Sequence, residues 1–180
     1  RCRNDILARL ERASLEPDAD KRRRLLSFAI IGGGPAGVEV AGAIGEMKRY
    51  LLRREYPGIS IDDVSVTLIE GTGRLLQAMD EQSSAHALEY MGHLMVDVRL
   101  NALVKSYEDN TITFTDGTRM YSEMVIWTAG VKGIPFTFVG TQPQMARGGR
   151  FEVDEFNRVA GLKDVYAIGD IASHSDERYP

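Results

Sequence analysis

The run Phe28-Ala29-Ile30-Ile31-Gly32-Gly33-Gly34-Pro35-Ala36-Gly37 is an apolar stretch opening into a glycine-rich turn, with G-x-G-x-x-G spacing at Gly32, Gly34 and Gly37. Beyond Gly37 the period is helical. Val40, Ala41, Ile44, Met47 and Leu51 recur on one face, and the small residues Gly37, Ala41 and Gly45 permit close approach to a sheet. Pro35 falls at the first helical position, where no N–H is needed and its fixed φ suits the helix. In this context Gly32 allows the tight turn, Gly34 lets a ligand approach the backbone with no β-carbon in the way, and Gly37 brings the helix close to the sheet. Unpaired amides at the helix start then face an anion. Spacing alone would fit any glycine turn; the strand before and the helix after it point to a dinucleotide pyrophosphate on Gly32, Gly33, Gly34, Pro35, Ala36 and Gly37.

Composition narrows the remaining classes. At 180 residues the chain holds one domain with a real core plus flanking pieces, and is too short for two nucleotide-binding domains. The net charge of −4 argues against nucleic acid as the main partner. No apolar run approaches the ~20 residues of a membrane span. Cys2 is the only cysteine, so an internal disulfide and a CxxC redox pair are excluded, as expected of a reducing, cytoplasmic compartment. The first residue is Arg1, which reads as an excerpt from a longer protein. The basic run Lys21-Arg22-Arg23-Arg24 is expected to be a solvated helix face.

The pattern predicts an α/β chain: a parallel sheet flanked by helices, with an antiparallel β-meander. Residues 1–27 read as lead-in helices. A strand over Phe28 to Ile31, a helix from Pro35 to about Arg54 and a strand over Val64 to Ile69 form a βαβ unit. Asp80 should cap a helix over Glu81 to Met91 that stops at Gly92. Alternating runs over Leu94 to Val98, Leu103 to Tyr107 and Thr111 to Phe114, with turns at Asp109-Asn110 and Asp116-Gly117, read as the meander. A strand over Glu123 to Trp127 closes a nucleotide-binding domain spanning 28–130. Residues 131–150 read as a crossover linker and 151–180 as a further strand-rich segment.

Chemistry-bearing residues fit this frame. Glu70 ends the second strand, where this fold presents an acid to the adenosine ribose hydroxyls, favouring NAD over NADP. Arg74 is the one nearby residue suited to a 2′-phosphate, keeping NADP as a minor alternative. Glu39 lies one helical turn beyond Pro35, either facing the ligand or simply favoured near a helix start. Gly169-Asp170 follows an apolar strand and precedes the helix-like Ile171-Ala172, which puts a carboxylate at the carboxyl end of a strand beside a helix start, a sugar-hydroxyl position in this fold class. Thr128, Ala129 and Gly130, with Pro135 beyond, end the last strand of the domain. His86, His93 and His174 have no partners at metal spacing, so no metal site is expected.

The segments Gly32 to Glu39, Val125 to Lys132, Val153-Asp154-Glu155 and Ala167 to Asp170 together resemble the FAD-dependent pyridine nucleotide-disulfide oxidoreductase superfamily, and most of all the type II, non-proton-pumping NADH dehydrogenases. The resemblance implies a Rossmann-like FAD/NAD(P)-binding domain in which the first segment binds NADH. It places Glu39 where nicotinamide meets flavin, as a catalytic residue, and Asp170 on the FAD ribityl chain. Residues 1–27 and 151–180 would then belong to an FAD domain whose own glycine loop lies outside this sequence. The implied parent passes a hydride from NADH to FAD and electrons on to a quinone, from the cytoplasmic face of a membrane; the isolated chain is expected to be inactive. Two alternatives stay open: an NADH-dependent disulfide or ferredoxin-type reductase, and an NAD(H)-sensing module without turnover.

Overall fold

The computed structural model describes residues 2–130, 136 and 138–174, apart from the side chains of Leu51 and Arg53. The chain divides between Ala129 and Gly130 into two compact units. The first begins with α1 (Cys2–Ser14) and α2 (Ala19–Leu25), followed by β1 (Ser27–Ile31) and α3 (Pro35–Glu46). A π-helical stretch, Met47–Leu51, joins α3 to α4 (Leu52–Glu55). Then come β2 (Ser65–Ile69), α5 (Glu81–His93), β3 (Asp97–Arg99), β4 (Val104–Glu108), β5 (Thr111–Phe114), β6 (Arg119–Tyr121) and β7 (Met124–Trp127).

All pairings in the main sheet are parallel, in the order β3-β2-β1-β7. This is the 3-2-1-4 arrangement of half a doubly wound fold. Leu94 to Val98 therefore departs from the expected meander: β3 lies parallel to β2, with Thr67 opposite Asp97. Alternation marks a strand but not its partner, and the 13-residue α5 supplies the crossover that a parallel return needs. The helix also runs past Gly92 and ends where Met95 turns left-handed at φ 57°. Those two further residues, Gly92 and His93, deliver Leu94 to the core, where a β-carbon on Gly45 would lie 2.9 Å from the Leu94 β-carbon. Gly45 thus serves the contact between α3 and the end of α5.

β1 is buried along its whole length because both faces of the sheet are covered. Phe28 and Ile30 pack with Ala41 and Ile44 of α3, Met91 of α5 and Leu94 just beyond it, and Ile6 and Leu10 of α1. Ala29 and Ile31 point the other way, into a second cluster with Ile69, Ile112 and Phe114. This opposite face is covered by the antiparallel sheet β4-β5-β6. Its first hairpin turns at Asp109-Asn110, both left-handed, and the β5–β6 connection uses Gly117 at φ 86°.

The basic run is more than a solvated face. Asp18 caps α2 by accepting the Asp20 and Lys21 amides, and Arg22 bonds the buried carboxylate of Asp63 at 2.8 Å. Arg23 also approaches Asp63, at 3.8 Å, while Arg24 sits over the Tyr121 ring. Arg23 also pairs with its sequence neighbour Asp20 at 2.6 Å, but the buried Asp63 arrives from a separate 3₁₀ turn, Ile61–Asp63.

In the second unit, β8 (Met145–Ala146) pairs antiparallel with β9 (Arg150–Glu152) across left-handed Gly148 and Gly149. Regular structure thus begins inside the stretch expected to be linker. β10 (Ala172–Ser173) runs parallel to β9, and Phe151, Val153, Val159 and Ala167 form a small core.

Candidate functional site

The glycines of the loop after β1 differ in what surrounds them. Gly32 adopts φ 113°, and a β-carbon there would meet the Ala129 nitrogen at 2.8 Å and Thr128 Oγ1 at 2.9 Å. At Gly33 it would press on Leu75 Cδ2 at 2.7 Å and Glu70 Cβ at 2.9 Å. At Gly37 it would overlap the Gly32 carbonyl oxygen, so this residue lets the loop close on its own helix. Gly34 differs from all three: its φ of −74° suits any residue, and a β-carbon there would meet nothing within 4 Å. Gly34 has no internal reason to be glycine, and it lines a cavity together with Glu70. It caps α3 without a side chain, and the first helical bond runs from the Val38 amide to its carbonyl at 3.0 Å. The amides of Ala36 and Gly37 precede that bond, and Pro35 between them and Gly34 has none to satisfy.

Glu70 reaches back from the end of β2 to this loop. One carboxylate oxygen accepts the Gly33 N–H at 2.6 Å and the other accepts the Thr72 N–H at 2.7 Å. Partial burial on its own would raise the carboxyl's pKa, but hydrogen bonding from Gly33, Thr72 and Gly71 together outweighs it and holds the group below its ordinary value. The same loop docks a second time, through the Leu76 N–H on the Gly33 carbonyl at 2.8 Å. Gly33, Gly34, Pro35, Glu70 and Leu76 line a cavity of about 240 Å³ that residues 77–79 complete.

β7 brings Thr128 beside the first glycine. The Thr128 amide and hydroxyl both donate to the Ile31 carbonyl, each at 2.9 Å, and the exposed Trp127 indole donates to the Ala129 carbonyl at 2.7 Å. Gly130, at φ 74°, comes next. The structure therefore gathers Gly32, Gly33, Gly34, Pro35, Ala36, Gly37, Glu70, Thr128 and Ala129 at the carboxyl ends of β1, β2 and β7. Glu39 is exposed on α3, one turn in from this loop. Gly169 and Asp170 belong to the second unit. They lie in a 3₁₀ turn, Gly169–Ile171, with Gly169 at φ 74° and Asp170 exposed. The expected strand before them is reduced to an isolated bridge at Tyr166, and β10, not a helix, comes after them. Val131, Lys132 and Pro135 lie outside the described residues.

Sequence reasoning missed the second half of the cradle. Leu75, Leu76 and Thr72 support Gly33 and Glu70, and only the glycine-flanked Gly71-Thr72-Gly73 hints at a tight loop there. Among the described residues no helix is long and apolar enough to cross a membrane.

Comparison with known proteins agrees with this geometry. The chain is 29% identical over 180 residues to a probable NADH dehydrogenase of Dictyostelium discoideum. It is 30% identical over 178 residues to the type II NADH:quinone oxidoreductase Ndh of Mycobacterium tuberculosis. These alignments take in 99% and 95% of the chain but only 40% and 38% of the relatives, so the chain spans about two fifths of their length. The fold matches NDH2 from Plasmodium falciparum, a structure in complex with NADH, with a TM-score of 0.78 at 23% identity, covering 94% of this chain and 36% of that one. With residues 4–180 fitting the pyridine nucleotide-disulphide oxidoreductase family description, and with its glycine loop built as that fold requires, the chain belongs to that family.

Proposed function

We propose that this chain is the NADH-binding part of an FAD-dependent NADH:quinone oxidoreductase. The observation that carries the reading is the contrast within the glycine loop: Gly32, Gly33 and Gly37 are demanded by the protein itself, whereas Gly34 faces empty space beside the Glu70 cavity. A pyrophosphate there meets the Gly34, Ala36 and Gly37 amides at the positive end of the 12-residue α3. The Gly33 amide is already committed to Glu70.

The adenosine ribose then lies against Glu70, whose carboxylate is held in place by two backbone amides and keeps lone pairs for the ribose hydroxyls. A 2′-phosphate would meet this charge, so NADH is favoured over NADPH. The exposed carboxylate of Asp170, after left-handed Gly169, is a suitable acceptor for a flavin ribityl hydroxyl, and Gly130 completes the Thr128-Ala129-Gly130 segment. We assign residues 1–27 and 151–180 to the FAD domain of the parent, 28–130 to NADH, and 131–150 to the crossover. Glu39 is assigned to the nicotinamide side, as the catalytic carboxylate. When bound, the flavin supplies the redox chemistry, accepting a hydride from NADH and releasing two electrons to quinone. The chain's own residues bind and orient the reductant and exclude water from it. The parent sits peripherally on the cytoplasmic face of a membrane, where a quinone is available. The names of the two relatives and the family fit support the oxidoreductase reading over a sensing module.

The test uses Trp127, the single tryptophan of the chain, which lies next to Thr128 at the end of β7. Bound NADH absorbs where indole emits, so titration should quench Trp127 with saturation, and NADPH should bind more weakly. Equal affinity for the two nucleotides would overturn the role of Glu70. In the full-length protein, NADH oxidation should proceed with quinone and not with disulfide acceptors.

A further inference from the structure

Arg74 is the cation nearest in sequence to the ribose acid, so a 2′-phosphate ligand is the obvious role for it. Its guanidinium is instead committed within the protein. Nη2 donates to the Gln77 carbonyl at 2.8 Å and Nη1 to the Ser84 hydroxyl at 3.2 Å. Ser84 is buried on α5 and passes its own proton on, donating to the Leu75 carbonyl at 2.6 Å. The planar fork thus spans both ends of the turn formed by residues 74–77 and pins it to α5 through one hydroxyl.

That turn carries both residues that touch Gly33 from this side. Leu75 is the side chain that a β-carbon on Gly33 would strike, and Leu76, left-handed at φ 50°, gives its N–H to the Gly33 carbonyl. Upstream the same loop is tied by the Thr72 hydroxyl, which donates to the Arg74 carbonyl at 3.2 Å, and by the Thr72 amide on Glu70. A continuous series of bonds therefore runs from Ser84 through Arg74 and the 72–76 turn to Gly33 and Glu70.

We propose that Arg74 is a positioning residue of the dinucleotide site: it fixes the 72–77 turn against the glycine loop and Glu70, and does not bind the nucleotide. The proposal rests on reading the glycine loop as a dinucleotide site. It also deepens the NADH preference, because the cation that sequence position best suits to a 2′-phosphate is already bonded to Gln77 and Ser84.

Arg74→Ala and Arg74→Lys in this chain test it, with amide hydrogen exchange followed in the absence of nucleotide and NADH and NADPH titrated through Trp127 emission. Arg74→Ala should raise exchange at Leu76 about tenfold and weaken NADH about tenfold, with no larger loss for NADPH. Lysine should not rescue, since a single ammonium cannot hold the two acceptors in the fork geometry. Ser84→Ala, a milder change, should move Leu76 exchange in the same direction and covers the case in which Arg74→Ala does not fold. A loss confined to NADPH would overturn the proposal and make Arg74 a phosphate ligand. Unchanged Leu76 exchange in a chain that binds NADH would overturn the positioning role alone. Failure of the unaltered chain to bind NADH would overturn the dinucleotide reading itself, and the role of Arg74 with it.

Discussion

The Glu70 carboxylate accepts the Gly33 N–H at 2.6 Å, joining two turns that lie 37 residues apart in sequence. An acid at this point in the fold is normally discussed for what it offers a ribose. Here it also builds the glycine loop, so its charge serves folding whatever the loop binds.

That dual service gives a pH signature. The folded pKa of Glu70 lies below its ordinary value of 4.5, so the stabilisation is fully present above that value and is lost as pH falls through the depressed folded value. Glu70→Gln keeps the shape but removes the charge and faces one amide with its own NH₂. It should lower Tm by about 3 °C at neutral pH and flatten the acid limb of the Tm–pH curve. An unchanged acid limb would show that Glu70 contributes no linkage.

Alanine substitutions at Gly34 and Gly37, within one turn of chain, should behave oppositely. Gly37→Ala forces a β-carbon into the Gly32 carbonyl and should cost about 3 kcal/mol or prevent folding, read by thermal denaturation. Gly34→Ala meets no protein atom and should leave stability within about 1 kcal/mol of the unaltered chain while weakening NADH at least tenfold. Full NADH affinity in Gly34→Ala would place the pyrophosphate elsewhere.

The Arg22–Asp63 pair should matter more than its surface location suggests. Asp63 is 7% exposed and bonds Arg22 at 2.8 Å, so Asp63→Ala leaves the largely buried Arg22 without its carboxylate, while the half-exposed Arg23 keeps Asp20. We expect a cost of about 2 kcal/mol and an Arg22–Asp63 coupling above about 1 kcal/mol in a double-mutant cycle. The exposed Arg99–Asp97 pair at 3.1 Å should give well under about 1 kcal/mol in the same measurement.

Lys48 lies in the π-helical stretch and is 8% exposed, and burial pushes its pKa down while nearby Asp62 opposes the shift. A charged form that is disfavoured by folding is a stability penalty below its folded pKa. Lys48→Met should therefore raise Tm at neutral pH by about 2 °C, and the gain should shrink as pH rises through the depressed pKa of Lys48. A lower Tm would mean that the ammonium holds a favourable contact.

Local features are legible where chemistry is local. The G-x-G-x-x-G turn, Pro35 at the helix start, the Asp80 cap and the Asp109-Asn110 hairpin each depend on residues within a few positions, and each stands where the residues put it. Partnership across the chain is not legible. Leu94 to Val98 shows a strand period, yet only the pairing with β2 decides that β3 runs parallel to it. Nor does any local pattern reveal that Asp63 waits for Arg22, or that Ser84 receives Arg74, because both contacts depend on how separate elements are brought together. In the candidate site, Gly32 to Gly37 and Glu70 are readable from position in the βαβ unit, but the Leu75-Leu76 half of the cradle is hidden in a stretch with no periodicity.

Gly33 has its amide, its carbonyl and the space beside its α-carbon all taken up by Glu70, Leu76 and Leu75. For inheritance and for engineering alike, the two turns form one module. A cofactor-specificity graft that exchanges residues 28–37 alone would place a foreign loop on a cradle shaped for another, and one that exchanges only 70–76 would fail for the mirror reason. Lineages of this fold should therefore vary these two stretches in concert, and a successful chimera must carry both.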